Sequence, residues 1–105
     1  MFSMQDLRLI NRAERFIVTQ HGRERLVERG IALADVMNTI NSGEIIEQYP
    51  DDFPFPSALV LGQTNGSSAL HVVVALNEEF IYLISAYFPD TGIWNPDMKT
   101  RKGVK

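Results

Sequence analysis

Two nearly unbroken apolar runs, "ALHVVVALN" (Ala69–Asn77) and "FIYLISAYF" (80–88), constrain this chain more than any other feature. Each is too short to span a membrane and too apolar on alternate positions to leave either face in water. The pair therefore predicts two central strands, covered on both sides and joined by the turn at "NEE". Two further strands follow from the flanking segments. "EIIEQY" (44–49) and "SALVLGQ" (57–63) are separated by "DDFPFP" (51–56), whose prolines bar it from a sheet centre. Between 63 and 69 lies "TNGS", and its Asn-Gly pair is a strong hairpin signal. Short connections of this kind give a four-stranded antiparallel meander that Pro89 ends.

The first 43 residues read as helical. Leu7 and Ile10 support a short helix within 5–15, and "RFIVT" (15–19) is a brief extended segment. Thr19 can cap a helix over 20–29, with Glu24 suited to its dipole and Gly30 to its end. Leu33, Val36, Met37 and Ile40 mark a one-faced helix over 33–42, stopped by "NSG". Helices first and strands after predict an α+β fold, two or three N-terminal helices packed on a four-stranded antiparallel sheet. One domain accounts for 1–105, divided into a helical extension (1–15), a core (16–95) and a basic tail (96–105). Trp94 and Pro96 start a tail expected to fold back.

Composition narrows the function. There is no cysteine, which removes disulfides and thiolate chemistry. Arg8, Arg12 and Arg15 interrupt the start before an apolar run develops, so a signal peptide is not expected and a bacterial cytoplasm is. The net charge of −3 argues against a generic nucleic-acid binder, but the distribution is uneven. Residues 1–29 carry six arginines against four acids, residues 99–105 carry four cations, and 30–98 carry nine acids with no Lys or Arg. If the fold joins the two ends, an acidic chain can still present a cationic site.

Within "QHGRERLVERG" (20–30), His21, Arg25 and Arg29 recur every four residues where a core helix would place leucines. With Gly22 and Leu26 they form one band of about 140° on the helix. Gly22 permits close approach and Leu26 anchors, so His21 and Arg25 should be held at the margin of the helix–sheet contact. The alternative is that Arg25 and Arg29 pair with Glu24, Glu28, Glu44 or Glu47. His71, the other histidine, shares a strand face with Val73 and Ala75; it is either a packed core residue or a proton-transfer group. Tyr87 could supply a phenol or close the core edge, and Trp94 is either a tail anchor or a base-stacking platform. No metal-ligand spacing, phosphate loop or nucleophile elbow is present. What remains is cofactor-free chemistry by histidine, arginine, carboxylate and tyrosine.

The blocks "HGRERLVERGI", "ADVMNTINSGEIIEQYPDD", "PSALVLG", "LHVVVAL" and "AYFPDTGIW" resemble, in that order, a bacterial family labelled a domain of unknown function. Its opening is H-A-x-x-R-x-x-x-R-G-I; Gly22 stands here at the alanine position. The family is grouped with the RelE-like ribonuclease toxins of the barnase–EndoU–colicin–RelE fold group, which share two N-terminal helices and a four-stranded antiparallel sheet. The resemblance implies metal-independent RNA cleavage and a neighbouring zinc-finger or helix-turn-helix antitoxin; no apolar stretch approaches the length of a membrane span, so no membrane partner is expected. On that reading His21 and Arg25 are catalytic, His71 or Tyr87 completes the proton transfer, and Arg29, Arg23 and Trp94 contact RNA. A non-catalytic module docking an acidic partner on the same stripe is the alternative.

Overall fold

The computed structural model describes residues 2–103; Met1, Val104 and Lys105, the last cation of the basic tail, lie outside the described residues. The chain begins with helix α1 (Met4–Leu9), which Ser3 and Asp6 close with reciprocal bonds between side chain and backbone. It is the short helix expected within 5–15, beginning one residue earlier and ending at Leu9. The Asn11 amide donates to the Met37 carbonyl and the Asn41 side chain, and this tertiary anchoring pulls the backbone off the helical path. A single 3₁₀ turn (Ala13–Arg15) leads into strand β1 (Phe16–Val18).

Two ten-residue helices follow at the predicted bounds. In α2 (Gln20–Arg29) the Thr19 hydroxyl accepts the Gly22 N–H, and Gly30 takes the left-handed conformation at φ 68° that closes the helix. In α3 (Leu33–Ser42) Asp35 reaches back to the Ala32 N–H, while Arg8 donates to the terminal carbonyls of Ile40 and Gly43. Strands β2 (Glu44–Tyr49), β3 (Ser57–Gln63), β4 (Ala69–Asn77) and β5 (Phe80–Tyr87) form the predicted meander. The Asn65-Gly66 turn joins β3 to β4, although it is Ser67 that sits at positive φ, at 67°.

The sheet corrects one expectation. It has five strands, not four, and is mixed: its order is β1-β5-β4-β3-β2, with β1 parallel to β5 through Phe16↔Ile81, Ile17↔Tyr82 and Val18↔Leu83. "RFIVT" was legible as extended, but only three residues pair, and two helices and three strands separate them from their partner. Nothing local encodes such a contact; the α2–α3 crossover makes it possible. Because β1 is so short, it flanks β5 only as far as Leu83. A bulge follows at once: Val73 pairs Ser85 and Val74 pairs Leu83, leaving Ile84 extra and 52% exposed.

The helices cover one face of the sheet. Leu7, Leu26, Val36 and Ile40 pack there on Val60, Leu70, Val72, Val74 and Ile81. Contact is close enough at Gly62 that a methyl group would stand 2.9 Å from the Cα of Thr39, so α3 rests directly on β3 backbone. The opposite face carries Leu59, His71 and Ala75, all buried, and is closed at one end by the tail. Trp94 pairs with Arg101 in an isolated bridge and is itself 3% exposed.

Candidate phosphate-binding cleft and a buried polar cluster

The stripe on α2 lines a cleft of about 280 Å³ between the helix and the part of β5 that β1 does not reach. Thr19, His21, Gly22, Arg25 and Arg29 form the helix wall, and Ile84, Ser85 and Ala86 the strand wall. Leu26 is buried beneath, as its place in the band requires. His21 and Arg25 are exposed, whereas Arg29 is half-buried. Arg25 Nε–H donates to His21 Nε2 at 3.1 Å, which leaves the proton of a neutral ring on Nδ1. Arg29 is used differently: its Nη1 donates to the Ala86 carbonyl at 2.8 Å, satisfying a strand group that would otherwise lack a partner at the unflanked edge.

No carboxylate among the described residues lines this cleft. Among the described residues the ion pairs are Arg12–Glu14, Lys99–Glu44 and Arg101–Glu47, so neither Arg25 nor Arg29 makes the pairing that the structural alternative required. Arg23 lies elsewhere, in a shallow groove with Gln20, Glu24, Val27 and Glu28 on the outer side of α2. Helix rotation separates it from the stripe.

The remaining nominated residues gather on the opposite sheet face. His71 is wholly buried; its Nδ1 lies 3.3 Å from the Tyr87 hydroxyl and its Nε2 2.8 Å from the Met98 carbonyl. Trp94 meets the His71 ring edge-on at 4.5 Å, and the Arg101 guanidinium covers the indole at 4.6 Å. Trp94 is therefore a tail anchor: with Arg101 over the indole and 3% of the residue exposed, it offers no free face for stacking. Arg101 in turn forks onto Glu47 (3.0 and 3.2 Å), which also accepts the Tyr49 hydroxyl. In the sequence Glu47 stands out only as a possible partner of Arg25 or Arg29, and Tyr49 does not stand out; the β2–β3–β4 register puts both on the His71 face, through Glu47↔Leu59 and Leu61↔His71.

Burial dominates the electrostatics of the histidine and the two tyrosines in this cluster. It pushes the His71 pKa below the usual histidine value, with the Arg101 charge assisting against the Met98 bond and Glu47, so the ring is neutral near pH 7. Burial raises the phenols as well, Tyr87 above its ordinary value and Tyr49, aided by Glu47, to about 12. The Arg101 bond holds Glu47 below the ordinary carboxylate value. These groups satisfy one another. His71 and Tyr87 belong to this clamp, and no hydrogen bond among the described residues joins them to His21 or Arg25.

A family model for a domain of unknown function (DUF4258) matches residues 18–88. The chain belongs to that family. No curated protein and no solved structure matches it. The DUF4258 match starts at the last residue of β1 and stops one residue beyond β5, so it contains the whole α2 cleft and excludes the tail that covers His71. Among the described residues of this DUF4258 protein, no helix is long and apolar enough to cross a membrane, and no group of three His, Cys, Asp or Glu is arranged for a metal ion.

Proposed function

We propose that this DUF4258 protein is a RelE-like, metal-independent endoribonuclease of a bacterial toxin–antitoxin pair, acting in the cytoplasm and held by a zinc-finger or helix-turn-helix antitoxin. One observation supports the reading above all: the α2 cleft joins an imidazole and two guanidiniums without a carboxylate to neutralise them. Such a set attracts a phosphodiester and can stabilise the charge that builds on it.

The chemistry is a transesterification. An arriving phosphate competes for the Arg25 guanidinium and so frees His21 Nε2, which is occupied in the unliganded protein. His21 then takes the proton of the ribose 2′-hydroxyl, and the 2′-oxygen attacks phosphorus. The bond to the 5′-oxygen breaks, and the imidazolium returns the proton to that leaving oxygen. The products are a 2′,3′-cyclic phosphate and a 5′-hydroxyl, with no net uptake of water or protons. Arg25, together with the Arg29 N–H groups not used on Ala86, bears the phosphorane charge.

A second reading has its own support. His21 is the one imidazole lining the cleft, since His71 and Tyr87 lie beneath the tail. A non-catalytic module that docks an acidic segment needs the cations and no second proton-transfer group. The two separate on one experiment: partner-free protein incubated with labelled RNA in EDTA and with ribosome-bound message in magnesium buffer, beside His21→Ala and Arg25→Ala. Cyclic phosphate ends that disappear in both folded variants support the nuclease. Intact RNA in both settings, with loss of partner binding in the variants, refutes it in favour of the module.

A further inference from the structure

A second depression lies against the first. Its volume is about 500 Å³, and its walls include Ile17, Asp52, Phe53, Phe55, Tyr82 and Ile84. Thr19, Leu83 and Ile84 line both, so the cationic cleft and this groove are neighbouring compartments of one surface across the end of β1. Their chemistry differs sharply. The groove is aromatic and aliphatic: Phe55 and Tyr82 form a tilted pair with centroids 5.2 Å apart, and Phe53 in the "DDFPFP" loop is 95% exposed. Ile17 and Ile84 add apolar area at 39% and 52% exposure. A chain of this size gains by burying such side chains, and an exposed cluster of them marks a contact surface.

We infer that this groove is the nucleobase subsite of the α2 cleft, and that the ligand is a single-stranded RNA whose phosphate sits at His21–Arg25 while an adjacent base lies against Phe53 and Phe55. The inference rests on the phosphate reading above and specifies its substrate. Three features select this occupant. The two compartments share a rim, as base and phosphate of one nucleotide require. Asp52 stands in the groove and none stands in the cleft, so phosphate is repelled from the aromatic side and drawn to the cationic side. Unpaired bases offer π-faces to aromatic side chains, which a duplex keeps stacked within itself. The bulge contributes too: by leaving Ile84 unpaired at the rim, it gives the two compartments a common wall.

The test uses three fluorescein-labelled probes of equal strand length, each 2′-O-methylated to block cleavage: single-stranded RNA, an abasic backbone of the same charge, and the same strand in a duplex, whose second backbone doubles the charge. Wild type is compared with Phe53→Ala, Arg25→Ala and the exposed control Val27→Ala by anisotropy at fixed salt. Loss of stacking on Phe53 is expected to weaken single-strand binding by about fivefold to 100-fold and to leave the abasic probe unchanged. Arg25→Ala should weaken every probe, and Val27→Ala none. If the single strand and the abasic backbone bind equally and Phe53→Ala changes nothing, the groove assignment is wrong while the phosphate cleft stands. If no probe binds, the phosphate reading itself fails. If an acidic phenylalanine-containing peptide displaces the single strand at lower concentration than unlabelled RNA does, the surface belongs to a protein partner instead.

Discussion

Replacing the two stripe arginines one at a time should separate stability from function, because the fold uses them for different tasks. Arg29 Nη1 reaches the Ala86 carbonyl at 2.8 Å, on a stretch of β5 that no strand flanks on that side. Arg29→Ala leaves that carbonyl without its charged donor, and an unsatisfied, partly buried group of this kind costs about 1–3 kcal/mol. For a domain of this size the loss corresponds to a fall in Tm of roughly 5–20 °C. Arg25 is exposed and, among the described residues, hydrogen-bonds His21 alone, so Arg25→Ala should lie within about 0.5 kcal/mol of wild type. RNA binding should order them the other way. Arg25→Ala removes a phosphate contact and should flatten the dependence of log K on log salt by roughly 0.7 for a single strand. Arg29→Ala, measured well below its Tm, should flatten that slope less than Arg25→Ala does, because one Arg29 N–H is already committed to the Ala86 carbonyl. Thermal melts followed by circular dichroism, then salt titrations of RNA binding, read both effects. Equal melting temperatures for the two variants, or an Arg25→Ala protein that is the less stable, would refute this division of labour.

Two predictions concern the tail. Trp94→Ala empties the space between His71 and Arg101 and should cost about 3–5 kcal/mol; limited proteolysis should then cut within 96–103, where wild type resists. Burial keeps the His71 pKa below 6.5, so above pH 6.5 both folded and unfolded chains hold it neutral and it adds no pH dependence. Below 6.5 the unfolded chain takes up a proton that the folded one refuses, and stability should fall with a slope of at most about 1.4 kcal/mol per pH unit until the folded pKa is reached. Urea midpoints measured from pH 7.5 to 5 should show this slope in wild type and lack it in His71→Gln; the same slope in both would assign it to another group.

Much of the architecture could be read from local pattern because local pattern causes it. The Thr19 cap, the Gly30 terminus and the Leu33–Val36–Ile40 stripe each act within a few residues, and α2 and α3 appear at the bounds they set. The paired apolar runs gave β4 and β5 for the same reason. The parallel β1–β5 contact and the end of α1 at Leu9 were not legible, since both are decided by partners far along the chain: Ile81–Leu83 for β1, and Met37 with Asn41 for Asn11. The site divides in the same way. His21, Arg25 and Arg29 share a helix face by spacing alone, while the clamp of His71 with Glu47, Tyr49 and Arg101 depends on strand register and a returning tail. Trp94 could be recognised as an anchor or a platform, and only the packed His71 and Arg101 decide for the anchor.

The charge distribution acquires its meaning from these same contacts. A net charge of −3 suggests a poor RNA ligand if the charges are spread evenly. They are not, and the fold sorts the cations by use. Lys99 and Arg101 are paired with Glu44 and Glu47, so the basic tail closes the far face of the sheet instead of joining a cationic site. Arg8 caps α3 through its terminal carbonyls. Arg25 and His21 remain bonded to each other in a cleft that the acids of 30–98 do not line. At physiological ionic strength exposed charges beyond about 8 Å are largely screened, so a phosphate in that cleft responds mainly to its walls and little to the total. An acidic chain is thus compatible with a phosphate site provided the acids are spent elsewhere, and β2 with the tail is where this fold spends Glu44 and Glu47.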